Sequence, residues 1–135
     1  MKYIGILISS IGVFLVVVVN LYYNSITLDI QMIKDYIVET NIILEDVVKK
    51  EEYVDDKKDE YISRLITLRN GIQNSKTTFL VKDYKEYKIK SIECLIESIS
   101  EDKTKNRNQY LEEVMKYNDL CDEELEKLVN KNLLE

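Results

Sequence analysis

Histidine, alanine, proline and tryptophan are all missing from this chain of 135 residues, and glycine occurs only three times. Without histidine the commonest general base and metal ligand is gone. The glycines, Gly5, Gly12 and Gly71, never cluster, so no phosphate-cradling loop can be written. Serines lie in no nucleophile-elbow context. Two cysteines, Cys94 and Cys121, are too few for a disulfide framework, and with no histidine they make no recognisable zinc site. No catalytic residue, cofactor or metal is expected, and the chain does not read as an enzyme. Heavy use of Ile, Lys, Asn and Tyr with no Ala reads as the AT-rich coding of a bacterial genome.

What is present begins with YIGILISSIGVFLVVVVNLYY, residues 3–23, which carry no charge. A helix rises about 1.5 Å per residue, so this run would extend roughly 31 Å, close to a ~30 Å hydrocarbon core. Tyr3 at one end and Tyr22 and Tyr23 at the other suit interfacial aromatic belts. A cleaved export signal fits less well: the apolar region exceeds the usual ~7–15 residues, and no small-residue A-x-A-like site follows it in a chain without alanine. The expectation is a retained, single-pass signal-anchor over residues 1–24, placing the protein in the cell membrane. Lys2 and the amino terminus put positive charge on the short side, which favours an extracytoplasmic body. Gly5, Ser9, Gly12, Val16 and Asn20 fall on one face of such a helix. Small residues there allow close helix–helix approach, and with it a homo-oligomer through the span.

Residues 25–135 form the second unit. Setting Lys2 aside leaves 18 bases against 25 acids, a balance of −7. That excludes a nucleic-acid partner, since phosphate contacts need a basic face, and anionic headgroups should repel the unit as a whole. About 110 residues rich in Leu, Ile, Lys and Glu read as one all-α domain. Helical stripes run over about 25–52, 57–73, 78–100 and 107–133. The segment 70–78 reads as a turn, with Gly71 and Asn74 in left-handed conformations and Ser75 or Thr78 capping the next helix. The segment 100–108 reads as another, with Asn106 and Gln109 resembling a capping box.

The first hinge is open to two readings. EEYVDDKKDE, residues 51–60, holds eight charges in ten residues, as a surface turn does. Yet a heptad set from Ile30 to Ile72 stays apolar at ten of thirteen positions, interrupted by Thr40, Glu51 and Lys58. The first reading gives an antiparallel four-helix bundle, which is preferred; the second gives a long helical hairpin or coiled-coil stalk.

Three further groups are candidates. Glu112, Glu113, Asp119, Asp122, Glu123, Glu124 and Glu126 crowd the last helix, where a solvated face is the simplest account. A turn centred near residue 106 or 107 would set Cys94 opposite 119 or 120, bringing Cys121 within bridging reach; the alternative is two small buried hydrophobes. Tyr84 and Tyr87 are either an exposed partner patch or packing residues. The function expected from all this is a non-catalytic, membrane-anchored interaction or scaffold protein. Its partner would be a membrane-associated protein, with the lipid bilayer engaged through residues 3–23. The alternative is an extracytoplasmic ligand-sensing or accessory subunit of a membrane complex.

Overall fold

The computed structural model describes Val13, residues 26–49 and residues 56–134. Among them are four α-helices: α1 (Ile26–Lys49), α2 (Lys58–Asn74), α3 (Lys82–Ser100) and α4 (Thr104–Leu134). A single 3₁₀ turn, Phe79–Val81, leads into α3. No strand occurs among the described residues, and the protein is a helical bundle.

The apolar periodicity becomes one core. Ile30, Ile33, Ile37, Leu44 and Val47 of α1 are all buried, as are Tyr61, Leu65, Leu68 and Ile72 of α2. They join Tyr84, Ile92, Leu95 and Ile99 of α3 and Leu111, Val114, Cys121, Leu125 and Leu128 of α4 in a continuous cluster. Thr40 interrupts the α1 stripe in sequence but not in space. Its hydroxyl donates to the Tyr36 carbonyl at 2.8 Å, one turn back, so only its methyl face meets the core.

The chain reverses between α1 and α2. The Tyr61 hydroxyl donates to Asp46 Oδ2 at 3.2 Å, and farther along the pair Tyr36 of α1 lies against Gly71 of α2. Contacts at 46–61 and 36–71 are those of antiparallel neighbours, which rules out one continuous helix through residues 51–60. Lys58 is therefore no core position; it is half-buried and bonds Asp102 Oδ1 at 3.1 Å, at the loop between α3 and α4. Two glycines inserted between Asp56 and Lys57, in the turn before α2, should lower stability by less than about 1 kcal/mol, because loop closure grows only slowly with length. Lys58→Leu should stay within about 0.5 kcal/mol of the parent. Thermal melts of both variants check this, and a large loss on insertion would restore the stalk.

Three local expectations are corrected. Gly71 is not left-handed: no described residue has a positive φ, and α2 runs on to Asn74. The helix stops instead at Ser75, whose extended backbone breaks the spiral while its hydroxyl donates to the Ile72 carbonyl at 2.5 Å. Neither Ser75 nor Thr78 caps α3, which starts at Lys82 after the 3₁₀ turn, and Leu80, which continues the apolar stripe of the 78–100 segment and would be buried by that pattern, lies exposed. Finally, α4 begins at Thr104, three residues earlier than periodicity predicts, so Asn106 and Gln109 are inside it and form no capping box. Lys103 N–H donates to Glu101 Oε1 at 3.2 Å and Arg107 reaches back to the Glu101 carbonyl at 3.0 Å, which tightens the reversal to residues 101–103.

Among the described residues, no helix is long and apolar enough to cross a membrane. The run 3–23, with Gly5, Ser9, Gly12, Val16 and Asn20, lies outside them, Val13 excepted. Val13 is helical, half-buried and packed against the core cluster.

Candidate functional site

The early start of α4 resets the register between α3 and α4. Four cross-helix contacts fix it: Ser98 to Arg107, Cys94 to Glu113, Lys88 to Asn118 and Tyr84 to Cys121. Cys94 therefore faces Glu113, not residues 119–120, and Cys121 lies eight residues farther along α4. Eight residues of helix are about 12 Å, beyond the ~7 Å Cα separation that a disulfide bridges. Both cysteines are free. The Cys94 thiol donates to Glu113 Oε2 at 3.5 Å, and burial followed by this acidic neighbour pushes its pKa up to about 11. The Cys121 thiol donates to the Tyr84 carbonyl at 3.8 Å, and burial likewise raises it to about 11. Neither is a thiolate near neutral pH, so neither has the character of a nucleophile.

Tyr84 is buried, with its hydroxyl pKa driven well above 10 by burial, and Tyr87 is half-buried against the core. The two do not make an exposed patch. One helical turn along α3 from Tyr84 is a buried polar cluster. Asn118 Oδ1 accepts from Lys88 Nζ at 3.0 Å and from Ser91 Oγ at 2.8 Å, and all three residues are buried. This triad fixes how α3 and α4 slide against each other, a role well suited to a satisfied polar group in an apolar interface. No group of three or more Cys, Asp or Glu able to hold a metal occurs among the described residues.

The surface feature with the most distinctive chemistry lies at the end of the bundle where α1 begins. Asp29, in the first turn of α1, is buried and accepts from the Thr78 backbone N–H at 3.2 Å and from the Thr78 hydroxyl. Lys85 of α3 donates to the Ser75 carbonyl at 3.0 Å and to Thr77 Oγ1 at 2.9 Å. Its pKa is lowered by burial, with the Asp29 carboxylate acting in the opposite direction. Val81 is wholly buried and pins the turn from below. Segment 75–81 is thus held from α1, from α3 and from the core. What this rigid frame presents outward is apolar: Phe79 is 84% exposed and Leu80 46%. Beside them lies a shallow depression of about 380 Å³, whose lining includes Phe79, Ile89, Lys82, Lys85 and the acid Glu86.

None of Asp29, Lys85, Phe79 or Leu80 stands out in the sequence by type. The usable signal was charge: residues 61–82 contain no acid, yet carry Arg64, Arg69, Lys76 and Lys82, in a chain with 25 acids. Comparison with known proteins finds no matching family model, no similar curated protein and no similar solved structure.

Proposed function

We propose that this protein is a membrane-anchored, non-catalytic interaction module that holds a protein partner at the bilayer, its body on the extracytoplasmic side. The observation that carries the reading is the uncharged run 3–23, long enough to span, ending three residues before α1 starts. Support comes from the body: α1 to α4 bury an apolar cluster of their own, as a unit presented at the end of an anchor requires. Its polar interior serves packing, and its thiols are protonated. An accessory or ligand-sensing subunit of a membrane complex is the variant of this reading in which the shallow depression takes a small ligand.

A second reading rests on Val13. Its contact with the core cluster is what residues 3–23 would make as a further helix of the bundle instead of a span.

The test compares the full chain with residues 25–135. An anchor predicts that the full chain stays in the membrane pellet through alkaline carbonate washing. It also predicts that the truncated body is soluble, strongly helical by circular dichroism and cooperative on melting. Extraction of the full chain by carbonate, with a truncated body that aggregates or fails to melt cooperatively, would replace the anchor by the further helix. Carboxyl-terminal reporter fusions read the orientation, with activity expected only outside the cytoplasm.

A further inference from the structure

Among the described residues seven large apolar side chains are exposed, and four of them gather at one end. Leu28 (66% exposed) and Met32 (52%) stand on the first two turns of α1, and Phe79 and Leu80 on the 3₁₀ turn beside it. The bond from Thr78 to Asp29 fixes the turn against the start of α1, so these side chains share one neighbourhood. Asp29 follows Tyr23, the last residue of the uncharged run, by six positions. Six residues reach about 9 Å as helix and at most about 21 Å fully extended. Wherever residues 3–23 leave a bilayer, Asp29 is held within that distance of the exit, and the turn carrying Phe79 and Leu80 is bonded to it through Thr78.

The exposed turn is flanked by lysines. Lys76 and Lys82 are exposed on either side of the turn, inside the acid-free stretch 61–82. Asp83 follows Lys82 in the first turn of α3, and Glu86 shares the depression beside Phe79, so Lys76 is the flanking charge with no acid next to it in sequence. Apolar side chains flanked by lysines suit a headgroup layer, where rings and aliphatic groups enter the acyl boundary and ammonium groups meet phosphates. Elsewhere the body is acidic and would be repelled.

We infer that the turn carrying Phe79 and Leu80, together with Leu28 and Met32, seats in the lipid headgroup layer beside the exit of the anchor. This rests on the anchoring of residues 3–23 proposed above. The bilayer therefore sets the orientation of the bundle as well as its location. α4 runs to Leu134 at this same end but packs on α3, away from α1, so the bundle meets the membrane with its α1 edge.

The chain has no tryptophan, so single substitutions give clean fluorescent reporters. Full-length Val13→Trp, Phe79→Trp and Ile66→Trp proteins are reconstituted into phosphatidylcholine–phosphatidylglycerol vesicles, with and without brominated lipid. Val13 lies at the middle of the run 3–23 and reports the anchor. Ile66, exposed on α2 about two turns before its end at Asn74, is the control. The expected result is quenching of Val13→Trp by lipids brominated deep in the chain and of Phe79→Trp by lipids brominated near the headgroup. Phe79→Trp should also shift to the blue, and Ile66→Trp should be unaffected. Adding Lys76→Glu and Lys82→Glu should weaken Phe79→Trp quenching and leave Val13→Trp unchanged.

Quenching of Val13→Trp without quenching of Phe79→Trp would overturn this inference and leave the anchor standing. Quenching of neither would remove the anchor and this inference together. A Phe79→Trp blue shift that appears only when a co-purified protein is added would give the patch to a protein partner, and overturn the lipid assignment.

Discussion

Asn118→Leu lowers the stability of the bundle by about 3 kcal/mol, measured by urea unfolding, although it adds apolar volume to an apolar interface. The loss comes from what the substitution strands. Lys88, only 4% exposed, and Ser91 both direct their hydrogens at Asn118 Oδ1. Removing that acceptor leaves a buried ammonium and a buried hydroxyl without it, at about 3–5 kcal/mol for a stranded charge. Replacing the charge as well reverses the sign of the problem. Lys88→Met with Asn118→Leu should recover most of the loss, because an apolar pair of similar volume has nothing to desolvate. A single-variant loss under about 1 kcal/mol, the ordinary effect of a substitution, would show that Lys88 finds water or another acceptor and that the triad does not fix the register.

Gly71→Leu has the second large effect, about 2–3 kcal/mol, and for a steric reason. A Cβ on Gly71 would lie 2.5 Å from Cε1 and 2.8 Å from Cζ of Tyr36, so the ring must leave its place between α1 and α2. Gly71→Ala is milder, because the helical propensity it gains, about 1 kcal/mol, offsets part of the collision. The two contributions separate in a double-mutant cycle. Starting from Tyr36→Ala, where the ring is gone, Gly71→Ala should stabilise by about 1 kcal/mol; in the parent it should not. Equal effects in both backgrounds would mean the ring swings aside freely.

These two positions show where the sequence was readable. The core of α1, α2 and α4 was legible because apolar side chains repeat at helical spacing whatever they pack against. Ile33, Leu65 and Leu125 follow directly from that rule. Gly71 was misread because glycine has two uses, and the local sequence cannot separate them. A left-handed turn and a close helix–helix approach both remove Cβ, and only the position of Tyr36 decides. The α3–α4 register failed by a similar route. The segment 100–108 is polar throughout, so periodicity could not say that the helix resumes at Thr104. Those three residues moved Cys94 from Cys121 to Glu113. The exposed turn at Phe79 was legible least. A stripe of apolar residues predicts burial, and Leu80 continues the α3 stripe in sequence while the 3₁₀ turn rotates it off that face.

The three-residue link between α3 and α4 has a consequence in time. Half of the shared core comes from these two helices, among them Ile92, Leu95, Leu111 and Leu125. Their pairing closes a very short loop and should be fast once both exist. Yet they are made after α1 and α2. At about 5–20 residues per second, the ribosome needs on the order of 5–20 s after residue 25 to complete α4. During that interval residues 3–23 are already available while the cluster against which Val13 packs is still half missing. A bilayer that takes up the apolar run in those seconds meets no competing core. Were residues 3–23 to enter a bilayer, the order of synthesis would give it access to them before the full core exists to compete.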